Sequence, residues 1–292
     1  MTAEIFPGSG LFSRGAAAFA ASVPVDPADD GFFGPGSVTW RLHADLSAPV
    51  AGLRSLLLQA LHPLAMAGVD QHSQWRDDPA ARFASTAAYV LTTTYGDRAT
   101  ARAAAERVRK VHEWVRGTDP VTGRPYAAGD PDLLLWVHAG QVESGLSAAR
   151  LYGAPFSGTE ADRYVAEMTA SAELVGVPPG RAPASVAELD AYFEEVRPEL
   201  TLSPAAADTA AYLTEMPAIE PELTDLWEVL AAASVASLPD WAKDLYGRSD
   251  VAAPERTEVR QVLGVLDALY LGEPGVLEAR QRLTLRMRAG GR

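Results

Sequence analysis

The sequence predicts an all-α fold, a single domain of about ten helices, and three observations carry that reading. Apolar residues recur at helical spacing along most of the chain, alternating strand patterns are nearly absent, and recognisable start and stop residues punctuate the segments. A domain of 292 residues buries roughly 75% of its unfolded surface, enough core to enclose a ligand.

Residues 1–40 are rich in Gly and Pro (FPGSG, VPVDPADD, FFGPGS) and read as an irregular arm with one short helix near Leu11–Ala21. Residues 41–292 form the all-helical domain. SAPVAGLRSLLLQALHPLAMAGV reads as one buried helix, N-capped by Ser47, with Pro49 in its first turn and Gly68 near its end. Pro63 removes a backbone donor and is expected to kink it beside His62. The WRDDP turn leads to a helix over Pro79–Tyr95, closed by Gly96-Asp97. The next helix spans Arg98–Gly117, charged on one face and carrying Val108, Val111 and Val115 on another. Thr118–Pro131 is full of turn formers and reads as a loop. Further helices are expected over Asp132–Gly153, Thr159–Leu174, Ser185–Val196, Pro204–Tyr212, Pro221–Ser237, Ala253–Leu271 and Gly275–Ala289.

Composition narrows the chemistry. The chain has no cysteine, which excludes disulfides, zinc–thiolate sites, iron–sulfur clusters, thioether-linked haem and cysteine nucleophiles. Transition-metal chemistry is left to carboxylates and five histidines, His43, His62, His72, His112 and His138. A net charge of −13 disfavours nucleic acid and anionic membrane surfaces as partners. No run of 18 apolar residues exists, so no membrane span is expected. Gly15–Val25 is alanine-rich where a signal peptide is leucine-rich, and Glu4 stands where a positive segment belongs. The expected location is therefore cytoplasmic. Lys110 and Lys243 are the only lysines among 25 basic residues, a bias of the kind a GC-rich genome produces. Each arginine must accordingly be judged by its place.

Three constellations could carry chemistry. In RVRKVHEWVRG (107–117), Arg109 lies three residues before His112 and Arg116 four after, which on a helix puts all three on one face. A neutral imidazole between two guanidiniums suits a b-type haem, with iron on His112 and a propionate on each arginine. A charged surface helix with an incidental histidine accounts for the same spacing. Arg82 and Thr86, also i and i+4, could orient dioxygen or a substrate oxygen. Arg82 could equally pair with Asp77 or Asp78. Thirdly, His62, His72 and the carboxylates Asp70, Asp77 and Asp78 suggest a non-haem iron triad, although His62 and His138 in apolar helices also suit the core, and His43 reads as structural. The chain carries no Gly-rich phosphate loop, GxSxG elbow or HExxH.

An ordered set of segments carries a family resemblance: FFGPGSVTWRLHAD (32–45), LLLQALHPLAMAGVDQHSQWRDDPAARFASTAAYV (56–90), VRKVHEWVRG (108–117) and YAAGDPDLLLWVHA (126–139). LVGVP (174–178) and LPDWAKDLYG (238–247) match more weakly. The chain resembles the haem-dependent oxygenases that include latex-clearing protein (rubber oxygenase) and mycophenolic-acid-synthesis protein B. The resemblance covers most of residues 30–250. It implies a globin-like helical core around non-covalent haem b, with His112 as proximal iron ligand and metal-binding residue. It implies propionate binding by Arg109 and Arg116, and distal roles for Arg82 and Thr86. It further implies dioxygen-dependent cleavage of a carbon–carbon double bond in a small apolar, isoprenoid-like substrate, giving two carbonyl products. The rubber-cleaving members carry a lysine before the distal threonine where this chain has Ser85, which argues against a lysine-capped resting state and against rubber as substrate. Two other readings stay open: a haem protein that senses, carries or oxidises without oxygen insertion, and a haem-free helical protein that binds a hydrophobic ligand.

Overall fold

The computed structural model describes residues 17, 19–21, 29–73, 75–216, 223–272 and 275–290. Of the short helix expected near Leu11–Ala21 only residues 17 and 19–21 are described, and these are helical; most of the arm lies outside the described residues. Among the described residues the protein is all-α apart from one two-stranded hairpin.

The first helix whose bounds are described, α1 (Val38–His43), is absent from the sequence expectation; Ser37 caps it by accepting from the Trp40 amide. The long apolar segment then folds as two helices, α2 (Ala48–Ala60) and α3 (Pro63–His72), bent by 103°. The expected kink is thus a break. A residue before proline is pushed out of the helical region, and His62 is extended (φ −85°, ψ 113°), so it caps α3 rather than continuing α2. Ser47 does not cap α2 through its side chain; its hydroxyl donates to Asp45 instead, at 2.6 Å.

α4 (Pro79–Tyr95) and α5 (Arg98–His112) form an antiparallel pair joined by Gly96 and Asp97. α5 stops at His112, five residues short of the expected end. Glu113 and Trp114 turn the chain, and β1 (Arg116–Thr118) pairs antiparallel with β2 (Pro125–Ala127) where a plain loop was expected. Asp119 organises the hairpin turn: it is buried, and its carboxylate accepts from the Val121 and Thr122 amides and the Thr122 hydroxyl. Burial works against that carboxylate, but these hydrogen bonds outweigh it and hold its pKa below the ordinary value.

α6 (Pro131–Tyr152) is the longest helix and packs along α2, making the centre of the core. Its N-cap is Asp130, just after the hairpin. α7 (Gly158–Val175) opens with a capping box of Ser157 and Glu160 and lies against α1, α5 and α6. α8 (Val186–Val196), α9 (Pro204–Glu215), α10 (Thr224–Ala236), the short α11 (Asp240–Leu245), α12 (Arg256–Leu271) and α13 (Val276–Gly290) complete the fold. α9 and α10 cover α2, and α12 reaches α6 and α10. No single helix among the described residues is long and apolar enough to cross a membrane; the bent pair α2–α3 passes a length and composition test together, and α2 is largely buried in the core.

Candidate active site

The end of α5, the hairpin, the start of α6 and the end of α7 enclose an open cleft of about 520 Å³. That size falls within the ordinary range for small-molecule sites. Arg109, His112 and Arg116 all line it, together with Glu113, Asp130, Leu134 and Gly176. A neighbouring cleft of about 560 Å³ includes Phe32, Arg102, Glu106 and Leu174, and Arg109 belongs to both.

The arrangement is reached differently from the sequence expectation. Arg116 is not on the helix with Arg109 and His112; it is the first residue of β1. The turn at Glu113 and Trp114 brings it back beside His112, where its Nη2 donates to the Glu113 carbonyl at 2.6 Å. The hairpin is held close by packing that a side chain at residue 117 would break. A Cβ there would stand 2.7 Å from the Tyr126 hydroxyl and 2.9 Å from Gln71 Oε1, atoms that are themselves hydrogen-bonded at 2.8 Å. On the opposite wall, Gly176 ends α7 with φ 120°, a conformation few residues other than glycine adopt, and lies close to the Arg109 side chain and Leu134. Of the valines expected to share an apolar face, Val111 is 60% exposed and Trp114 beside it 81%. The packed face of α5 is instead Ala101, Ala104 and Ala105.

His112 is half-buried, and its buried Nδ1 has no hydrogen-bond partner. Burial and, next, the positive charge of Arg82 push its pKa below the ordinary imidazole value, so the ring is neutral and keeps a free lone pair. Arg82, on α4, is near enough for its charge to act on His112, but neither Arg82 nor Thr86 lines either cleft. Arg82 Nη1 donates to the Thr86 hydroxyl, which donates to the Arg82 carbonyl at 3.1 Å. Thr86 spends its single proton on the backbone, so Arg82, with donors to spare, is the member of the pair able to donate outward. The pairing of Arg82 with Asp77 or Asp78 is not seen; Asp78 caps α4 through the Ala81 amide at 2.9 Å. Protein packed around Arg82 pulls its pKa down, yet its side chain keeps an accessible face, and a guanidinium remains charged in such a setting. Arg109 holds the exposed Glu106 carboxylate at 2.5 Å.

The non-haem iron triad does not form: no three His, Asp, Glu or Cys side chains among the described residues gather to hold an ion. His62 is a helix cap packed on Trp136, with its ring 5.8 Å away. His72 meets the edge of Tyr126 at 6.2 Å. His43 bridges three helices. Thr94 gives its proton to the Val90 carbonyl at 2.7 Å, so it must accept from His43 Nδ1 at 2.9 Å, and His43 Nε2 then accepts from Tyr164 at 3.1 Å. His138 is buried in α6. Burial pushes both His43 and His138 down to about 4.

The residues suit a haem. The group needs one neutral nitrogen for iron and cations for two carboxylates. The cleft presents an imidazole with a lone pair to give, and a guanidinium on either side of it; one of these already grips a carboxylate. One polar group on α4, outside the lining of both clefts, escaped the sequence reading. Tyr89 falls within the apolar run after Thr86, but its hydroxyl is buried without a partner. Its spacing of seven from Arg82 and three from Thr86 is the signal that marks it.

A family described as ER-bound oxygenase mpaB/B'/rubber oxygenase, catalytic domain, matches residues 40–268 of the chain. No curated protein and no solved structure matches it.

Proposed function

The chain belongs to that oxygenase family, and from this membership we propose that it is a haem b-dependent oxygenase acting with dioxygen on a small apolar alkene of isoprenoid type. The observation that carries the haem reading is the cleft in which a neutral, half-buried His112 stands between Arg109 and Arg116. His112 would offer its lone pair to iron. Arg109 and Arg116 would exchange Glu106 and the Glu113 carbonyl for the two propionates, as charge-assisted pairs. Haem, when bound, supplies the iron chemistry that activates dioxygen toward a carbon–carbon double bond. On α4, Thr86 and Arg82 hold each other by mutual hydrogen bonds, and the remaining N–H groups of Arg82 would be available to oxygen atoms of the bound ligands. Apolar side chains of α4, among them Phe83, Ala87 and Val90, are half-buried around this pair and suit an apolar substrate.

The test is the ultraviolet–visible spectrum of purified, haem-reconstituted protein, oxidised and reduced. A Soret band lost in His112→Ala and restored by added imidazole is the expected result; no Soret band in the wild type refutes haem binding. Oxygen consumption with carbonyl products from isoprenoid alkenes is then expected. A haem protein that consumes no oxygen with any of them refutes the oxygenase assignment.

A further inference from the structure

We propose that Tyr89 is a further cofactor-binding residue, donating a hydrogen bond to the carboxylate that Arg109 holds. The inference rests on the haem reading above and deepens it. Arg82, Thr86 and Tyr89 follow one another at i, i+4 and i+7 along α4, one face of a helix. The first two bond to each other. The Tyr89 hydroxyl is buried and bonds to nothing, which is unusual because buried tyrosine hydroxyls generally find a partner. A buried group of this kind signals an acceptor supplied by a ligand.

Charge selects the kind of acceptor. Arg109 is close enough that its guanidinium lowers the Tyr89 pKa, against a burial effect that raises it to about 12. The phenol therefore stays protonated and can only donate usefully beside a fixed cation. A donor within reach of a cation's field suits an anion, and Arg109 is already disposed to hold a carboxylate, that of Glu106. On α4 itself the neighbouring hydroxyls are committed, Thr86 to the Arg82 carbonyl and Thr93, one turn further along, to the Tyr89 and Val90 carbonyls, and the buried His112 Nδ1 makes no bond to Tyr89 either.

The test titrates haem-free wild type and Tyr89→Phe with haem and with its dimethyl ester, whose carboxylates are capped. A charge-assisted hydrogen bond predicts about a tenfold or greater loss of haem affinity in Tyr89→Phe, with ester affinity unchanged. Haem-free Tyr89→Phe should melt no lower than wild type, because the change removes an unsatisfied polar group. Equal haem affinity in the two proteins overturns the assignment, as does an equal loss for haem and ester, which would mark a packing defect. In an Arg109→Gln background the cost of Tyr89→Phe should shrink, since both residues serve one carboxylate; an undiminished cost also overturns it. Failure of the wild type to bind haem would instead overturn the reading on which this one rests.

Discussion

Arg54 is the most demanding charge in the core, and its replacement by alanine tests how α2 and α6 are held together. The residue is 1% exposed. It donates to both oxygens of Glu143, to the Ser144 hydroxyl at 2.7 Å and to the Ser237 carbonyl at 3.0 Å. Removing one partner of a buried ion pair costs about 3–5 kcal/mol, because the other charge is left without compensation. Glu143 is 19% exposed and keeps a hydrogen bond from Ser147 at 2.9 Å. The lower end, about 3 kcal/mol, is therefore expected. For a chain of this size that corresponds to a fall in melting temperature of roughly 6–12 °C. Thermal and urea unfolding of haem-free protein measure it. An orphaned Glu143 carboxylate also requires Arg54→Ala/Glu143→Ala to be more stable than Arg54→Ala alone. A single variant that loses under 1 kcal/mol, or a double variant less stable than the single, would refute the assignment of the cost to an orphaned carboxylate.

Two further outcomes follow from the same structure. His43 and His138 are depressed to about 4 by burial, whereas an unfolded histidine titrates near 6.5. The unfolded chain therefore binds more protons in this window, and stability falls as pH drops from about 6.5 toward about 4. Proton NMR should show both rings titrating near the lower value; ordinary midpoints would contradict their burial. Gly117→Ala should cost about 1–3 kcal/mol as overpacking, since the new methyl meets Tyr126 and Gln71, and should weaken haem retention by displacing neighbouring Arg116. Unchanged stability would show that the hairpin yields without penalty.

The two ends of α5 differ in how plainly the sequence marks them. Asp97 at its start is a capping residue, and its side chain does accept from the Thr100 amide at 2.7 Å. Nothing comparable marks the end at His112. The residues that follow keep helical propensity and amphipathic spacing, so the pattern runs on to Gly117. What stops the helix is tertiary: Val115 turns into a small core with Leu64, Ala67, Tyr126 and Leu133, and Gly117 fits beneath the Tyr126 hydroxyl. Helical spacing therefore grouped Arg109, His112 and Arg116 by a geometry the protein does not use. The break at His62 is the reverse case. His-Pro carries a local steric signal, yet the apolar run on both sides concealed that it becomes a 103° corner. The two short helices α1 and α11 offer too few turns for any periodicity to register.

The site residues divide along the same line. Residue types that are rare for their surroundings stood out: a histidine among arginines, an arginine and a hydroxyl ahead of an apolar run. Tyr89 did not, because tyrosine belongs equally in a core, and only its unpartnered hydroxyl separates it from one. α4 as a whole shows why this matters. Its last turn is buried, with Thr93, Thr94 and Tyr95 each 2% exposed or less, while the apolar residues from Phe83 to Leu91 are only half-buried. A helix normally covers its apolar stripe against its own protein. On the proposed function the cofactor and the alkene complete that covering over the first three turns, in the stretch that carries Arg82, Thr86 and Tyr89. Ligand binding and the packing of α4 would then be one equilibrium, so that a ligand reaching Arg82, Thr86 and Tyr89 would stabilise the helix that carries them.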